Sequence, residues 1–104
     1  LSDEIVRKTT GMRVRDLDEL TADYEELGVK FRKQISKKVL RKGGAWASIA
    51  FVFQDIDAET GNYGDPQLML ATFKNYGGMY TRYSYFIMKN RKEAEAIWEL
   101  SKAI

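Results

Sequence analysis

Two Gly-Gly pairs, each set between residues of strand-forming type, constrain this chain more than any other feature. One sits in KKVLRKGGAW, residues 37–46, and the other in TFKNYGGMY, residues 72–80. A two-residue hairpin turn needs positive φ, which glycine adopts at little cost, so each pair predicts a tight reversal between antiparallel strands. The flanking runs fit. Ala45–Ile56 is aromatic, β-branched and free of Gly and Pro, and Gln67–Asn75 and Met79–Met88 share that character. Val29–Arg41 alternates Phe31, Lys33, Ile35, Lys37, Val39 and Arg41 against Arg32, Gln34, Ser36, Lys38 and Leu40, which predicts a fourth strand.

Helical periodicity brackets these strands. From Asp16, the residues Leu17, Leu20, Tyr24 and Leu27 recur at spacings of three and four, with Gly28 placed to stop a helix. A rival pattern carries that helix on through Phe31, Ile35 and Val39 to Gly43-Gly44. At the other end Asn90 predicts a cap, with Glu93 three residues on, and Ala94, Ile97, Leu100, Ser101 and Ile104 form an apolar stripe with Trp98 at its margin. Residues 1–15 lack a period and are expected to be a mobile arm. Residues 16–104 are then one α+β domain: an N-terminal helix, a four-stranded antiparallel meander, and a C-terminal helix covering one face, with meander and last helix over 29–104.

Hairpin register assigns the faces. Turns at Gly43-Gly44 and Gly77-Gly78 set Arg41 opposite Trp46, Lys37 opposite Ala50, Lys74 opposite Thr81, Thr72 opposite Tyr83 and Leu70 opposite Tyr85. Leu40, Ala47, Ile49, Phe51, Phe53, Met69, Ala71, Phe73, Phe86 and Met88 then gather on one face as the core. The other face displays Lys33, Lys37, Arg41, Trp46, Lys74, Tyr83 and Tyr85, so cations alternate with aromatic rings. Cations track phosphates and rings stack unpaired bases, at about 1–3 kcal/mol each, so this face is expected to bind single-stranded nucleic acid. Ile35, Val39, Val52, Leu68, Leu70 and Ile87 fall on the same face, and so much apolar area equally suits a protein-interaction or assembly module.

Charge distribution supports the cationic reading. The net charge of the 104-residue chain is only +2, yet residues 30–42 hold seven bases and no acid, while residues 1–29 hold eight acids against four bases. Other chemistry is poorly provided for. The chain has no cysteine and no histidine, which removes thiolate nucleophiles, disulfides, cysteine-ligated zinc and the commonest general base. The acidic stretch DIDAETGNYGD begins like a calcium loop, but Thr60 stands where a twelve-residue loop needs glycine and Pro66 where it needs glutamate. Neither diglycine has the spacing of a phosphate-binding loop. A non-catalytic protein without metal or cofactor is therefore expected. The longest apolar run, Ala45–Phe53, is far short of the roughly 20 residues of a membrane helix, and no signal-peptide pattern opens the chain, so a soluble cytoplasmic protein is expected.

The stretches KKVLRKGGAWASIAFVF, PQLMLATFKNYGG and MYTRYSYFIMKN, running into RKEAEAIWELSKAI, resemble the Whirly and positive-cofactor-four type of single-stranded DNA-binding domain over residues 30–104. The resemblance implies binding of single strands on the sheet and a homodimer or higher homo-oligomer, with Ile97, Trp98 and Leu100 near the contact. It also implies that cations of the first two strands meet the phosphates.

Overall fold

The computed structural model describes residues 14–104. Five strands follow one another in chain order: β1 (Tyr24–Glu26), β2 (Val29–Gly43), β3 (Trp46–Asp55), β4 (Gln67–Tyr76) and β5 (Met79–Met88). They form one curled antiparallel sheet in the order β1-β2-β3-β4-β5, and a single helix, α1 (Arg91–Ser101), ends the domain. Among the described residues the fold is α+β, with five strands where four were expected and no α-helix ahead of them.

The expected N-terminal helix is replaced by a strap. Leu17–Glu19 makes one 3-10 turn, the chain then runs extended into β1, and Leu27-Gly28 turns it into β2 with φ of 52° and 81°. Gly28 thus ends a strand. The apolar residues serve a period of two: Leu20, Ala22 and Tyr24 are buried, while Leu27 is 98% exposed. The strap lies across the apolar face of the sheet. Val14, Leu17, Leu20 and Ala22 join Ala47, Ile49, Phe51, Phe53, Met69, Ala71, Phe73 and Tyr80 in one core. Each large side chain fully withdrawn from water there contributes about 1.5–3 kcal/mol.

Polar contacts hold the strap at both ends. Val14 and Tyr80 exchange backbone hydrogen bonds of 3.2 and 2.7 Å. The Gln34 side-chain oxygen accepts from the Ala22 amide at 2.9 Å, and the Gln34 amide donates to Asp23 Oδ1 at 2.6 Å. Lys37 Nζ donates to the carbonyls of Leu17 and Leu20, the latter at 2.8 Å. Val14, assigned to the expected mobile arm, is a core residue; residues 1–13 of that expected arm lie outside the described residues.

Three bulges decide which side chains face which way. The first hairpin turns at Gly44-Ala45, with Gly44 at φ 58°, so Gly43 pairs with Trp46 and Arg41 with Ser48. Register shifts at Ile35 and Leu40 follow, and Lys37 faces Phe51 while Lys38 faces Ala50. Lys37 and Val39, expected on the outer face, lie on the core side in consequence. Leu40, expected in the core, is exposed at its bulge. The second hairpin turns at Gly77-Gly78 with φ of 60° and 89°, and Lys74 does pair with Thr81. A bulge at Tyr83 then breaks the alternation: Thr72 pairs with Ser84, Leu70 with Phe86 and Ala71 with Tyr85. Tyr85 and Ile87 accordingly pack against the core, and Phe86 is 61% exposed.

The same bulge redirects the C-terminal helix. Met88 pairs with Leu68 on the outer side, so the chain leaves β5 toward the face that was expected to stay bare. Asn90 caps the helix by accepting the Glu93 amide at 3.0 Å. Its first turn forms a cleft of about 210 Å³ between Val52, Pro66 and Leu68 of the sheet side and Asn90, Arg91 and Ala94. No residue of α1 is buried. The helix does not cover the core; the strap does.

Lys37 is the test of that arrangement. Burial lowers its pKa from the ordinary 10.5, against an opposing pull from Asp18. Lys37→Met removes both donations to the strap, the Leu17 carbonyl keeping only the Leu20 amide, and is expected to cost about 1–3 kcal/mol in chemical denaturation, with Lys38→Met near neutral. The folded state holds the Lys37 proton less tightly than the unfolded chain. Its share of stability is therefore fully present above 10.5 and falls as pH drops through the folded value. The wild-type advantage over Lys37→Met should widen as pH rises toward 10.5; a difference that narrows would contradict the assignment.

Candidate nucleic-acid interface

Residues directly opposite one another in an antiparallel pair share a face. The ladder therefore defines the outer face of β2–β5 position by position. From β2 it takes Lys33, Ser36, Lys38 and Arg41; from β3, Trp46, Ser48, Ala50, Val52 and Gln54. From β4 come Leu68, Leu70, Thr72, Lys74 and Tyr76, and from β5 Met79, Thr81, Ser84, Phe86 and Met88. No Asp or Glu stands on it.

This face has two halves. At the end beside α1, Ala50, Val52, Leu68, Leu70, Phe86 and Met88 make it apolar. At the opposite end, where both glycine turns lie, it is cationic and aromatic. Trp46 and Tyr83 meet edge to face, with ring centroids 4.9 Å apart at 87°. Lys74 pairs with Trp46 across the strands, and its Nζ lies 5.2 Å from the Trp46 ring and 5.0 Å from that of Tyr76. Trp46 is 37% exposed and Tyr83 63%. Gly43, the partner of Trp46 on β2, has no side chain to lay over the indole. The Tyr83 bulge contributes as well, since it is the residue left out of the β4 ladder.

Of the expected binding residues, then, Trp46, Lys74 and Tyr83 come together and Lys33 and Arg41 share their face. Two do not belong. Lys37 is committed to the strap carbonyls. Tyr85 lies on the core side, with the Arg82 guanidinium 4.4 Å over its ring. Lys38 takes the place of Lys37 on the outer face and is exposed. Nothing in the alternation of β2 marks Lys38, because the bulge that exposes it arises from pairing with β3. Among the described residues, Lys33, Lys38 and Arg41 have no carboxylate partner within ion-pair distance.

The acidic hairpin loop has structural partners instead. Asp55 accepts from Arg32 Nε at 3.0 Å and from Gln67 Nε2 at 3.0 Å. Asp57 Oδ1 accepts the amides of Glu59 and Thr60 at 2.8 and 3.3 Å, which closes the loop turn. Among the described residues no cluster of three acids is positioned for a metal ion. No helix among them is long and apolar enough to cross a membrane. On α1, Ile97, Trp98, Leu100 and the trailing Ile104 are exposed, Trp98 by 63%.

In comparisons with known proteins, no family model, no curated protein and no solved structure matches this chain.

The two tyrosines separate packing from surface. Tyr85→Ala is expected to lower stability by about 2–4 kcal/mol, as aromatic truncations in a core do. Tyr83→Ala should cost under about 1 kcal/mol in the same denaturation experiment. Equal losses would mean that the bulge does not divide the faces as described.

Proposed function

We propose that this domain binds single-stranded nucleic acid through the cationic and aromatic end of its outer sheet face, without catalysis. The observation that carries this reading is the grouping of Trp46, Tyr83 and Lys74 beside Lys38 and Arg41 on a surface with no carboxylate. Such a surface offers positive charge to phosphates and rings to unstacked bases. A broad, gently curled sheet suits a single strand better than a duplex, whose major groove admits a helix or a narrow ribbon. The resemblance to Whirly and positive-cofactor-four domains points the same way.

The test is fluorescence anisotropy with a labelled oligothymidylate across a salt series. Four cations, Lys33, Lys38, Arg41 and Lys74, predict a slope of log affinity against log salt near −2.8, from about 0.7 per neutralised phosphate on a single strand. Trp46→Ala and Tyr83→Ala should each weaken binding by about 1–3 kcal/mol while leaving the slope alone. Absence of binding at low salt, or binding indifferent to salt, would remove the reading.

A second property of the reading is self-assembly, and a separate observation favours it. Helix α1 buries no residue, and helices shorter than about 12–15 residues are marginal in water without packing. Ile97, Trp98 and Leu100 are exposed on α1, an apolar group that suits a helix partner. In an antiparallel pair centred between Ile97 and Trp98, Glu93 of one copy meets Lys102 of the other. Sedimentation velocity should show a concentration-dependent dimer that Trp98→Glu converts to monomer. A wild-type monomer at every concentration would refute assembly and leave nucleic-acid binding standing.

A further inference from the structure

The bulges in β2 do more than exchange one lysine for another. In unbroken alternation the lane through Lys33 would read Lys33, Ile35, Lys37, Val39, Arg41. With register shifts at Ile35 and Leu40 it reads Lys33, Ser36, Lys38, Arg41. Val39 leaves the lane for the core side, Ile35 drops out of the ladder as an exposed bulge residue, and a hydroxyl enters. Every member can then donate a hydrogen bond, and all four are exposed. The lane follows one strand from Lys33 to Arg41, about 25 Å at ordinary strand rise. It ends beside Trp46, Tyr83 and Lys74. Bulges are enriched where a strand must re-aim side chains for a site.

We infer that a bound single strand lies lengthwise along β2, its phosphates on Lys33, Ser36, Lys38 and Arg41, its bases directed over β3, and its last bases on Trp46 and Tyr83. This rests on the proposed nucleic-acid binding and specifies its direction. The apolar half of the outer face, with the first turn of α1 above Val52 and Leu68, blocks a path crossing all strands at that end. The lane along β2 stays open. A continuous row of donors favours a phosphate chain over isolated anions, since each donor has a successive phosphate to meet.

The experiment compares two double variants of equal charge change by salt-dependent anisotropy with labelled oligothymidylates of increasing length. Lys33→Ala/Lys38→Ala removes two lane cations and should reduce the salt slope by about 1.4. Lys89→Ala/Lys92→Ala, at the start of the helix, should leave the slope within error of the wild type. Wild-type affinity should climb with length to about five nucleotides, at the short end of single-strand site sizes, and level off beyond. The lane variant should level off at a shorter length. Unchanged melting temperatures of both variants would confirm that the fold is intact. If wild type binds but the two doubles lose the same slope, or affinity saturates at one or two nucleotides, the lengthwise path is overturned while binding stands. If wild type binds no oligonucleotide at any length, both fall together.

Discussion

Ile49, Phe51, Phe53, Met69 and Phe73 have to be kept from water, and everything else in the domain depends on how that is done. The sheet has one strongly apolar face and a terminal helix that never reaches it. The strap from Val14 to Ala22 provides the cover, and apart from the turn at Leu17–Glu19 it has no regular hydrogen bonding of its own, so its backbone needs partners. Lys37 and Gln34 supply them from β2, and Tyr80 from β5. A cation on a sheet face directed toward hydrocarbon would ordinarily be costly. Here its ammonium group ends on the carbonyls of Leu17 and Leu20, and the aliphatic stem can lie along apolar neighbours.

That commitment shapes the functional surface. A basic block of seven residues suggests a uniform positive strand, but a strand has two faces, and the strap claims part of one. Arg32 is drawn to Asp55 and the Phe53 ring, and Lys37 to the strap. What remains for a partner is the lane of Lys33, Lys38 and Arg41, joined by Lys74 from β4. The bulges reconcile the two demands: they let one basic segment serve the core side at Lys37 and the outer side at Lys38, the next residue. The Tyr83 bulge does the same in β5, where Tyr85 is turned inward to the core and Phe86 outward.

Much of the meander was legible in the residues. Glycine turns, aromatic and β-branched runs and period-two alternation in Ala47–Phe53 and Met69–Phe73 each express a local preference that the fold keeps. Both diglycines lie at hairpin ends, although the first turn uses Gly44 and Ala45 in place of Gly43 and Gly44. The capped last helix was legible for the same reason, because Asn90 and Glu93 act within one turn. The Leu17–Leu27 spacing misled because apolar residues at i, i+3 and i+7 also occur in an irregular strap that buries Leu17, Leu20, Ala22 and Tyr24 and leaves Leu27 in water.

What the chain determined by itself is therefore local: where it turns, which runs extend, where the helix begins, and the high positive charge of residues 30–42. Those features depend on backbone sterics and neighbours within a few residues, which every copy of the sequence carries with it. Tertiary structure alone decided which face each side chain takes in β2 and β5, since a bulge forms where two strands fail to match in length or twist, and that mismatch exists only once they pair. It also decided that the core would be closed by the strap and not by the helix. The competition between two amphipathic segments for one apolar face is settled by how much area each can bury and how many of its carbonyls and amides find partners there.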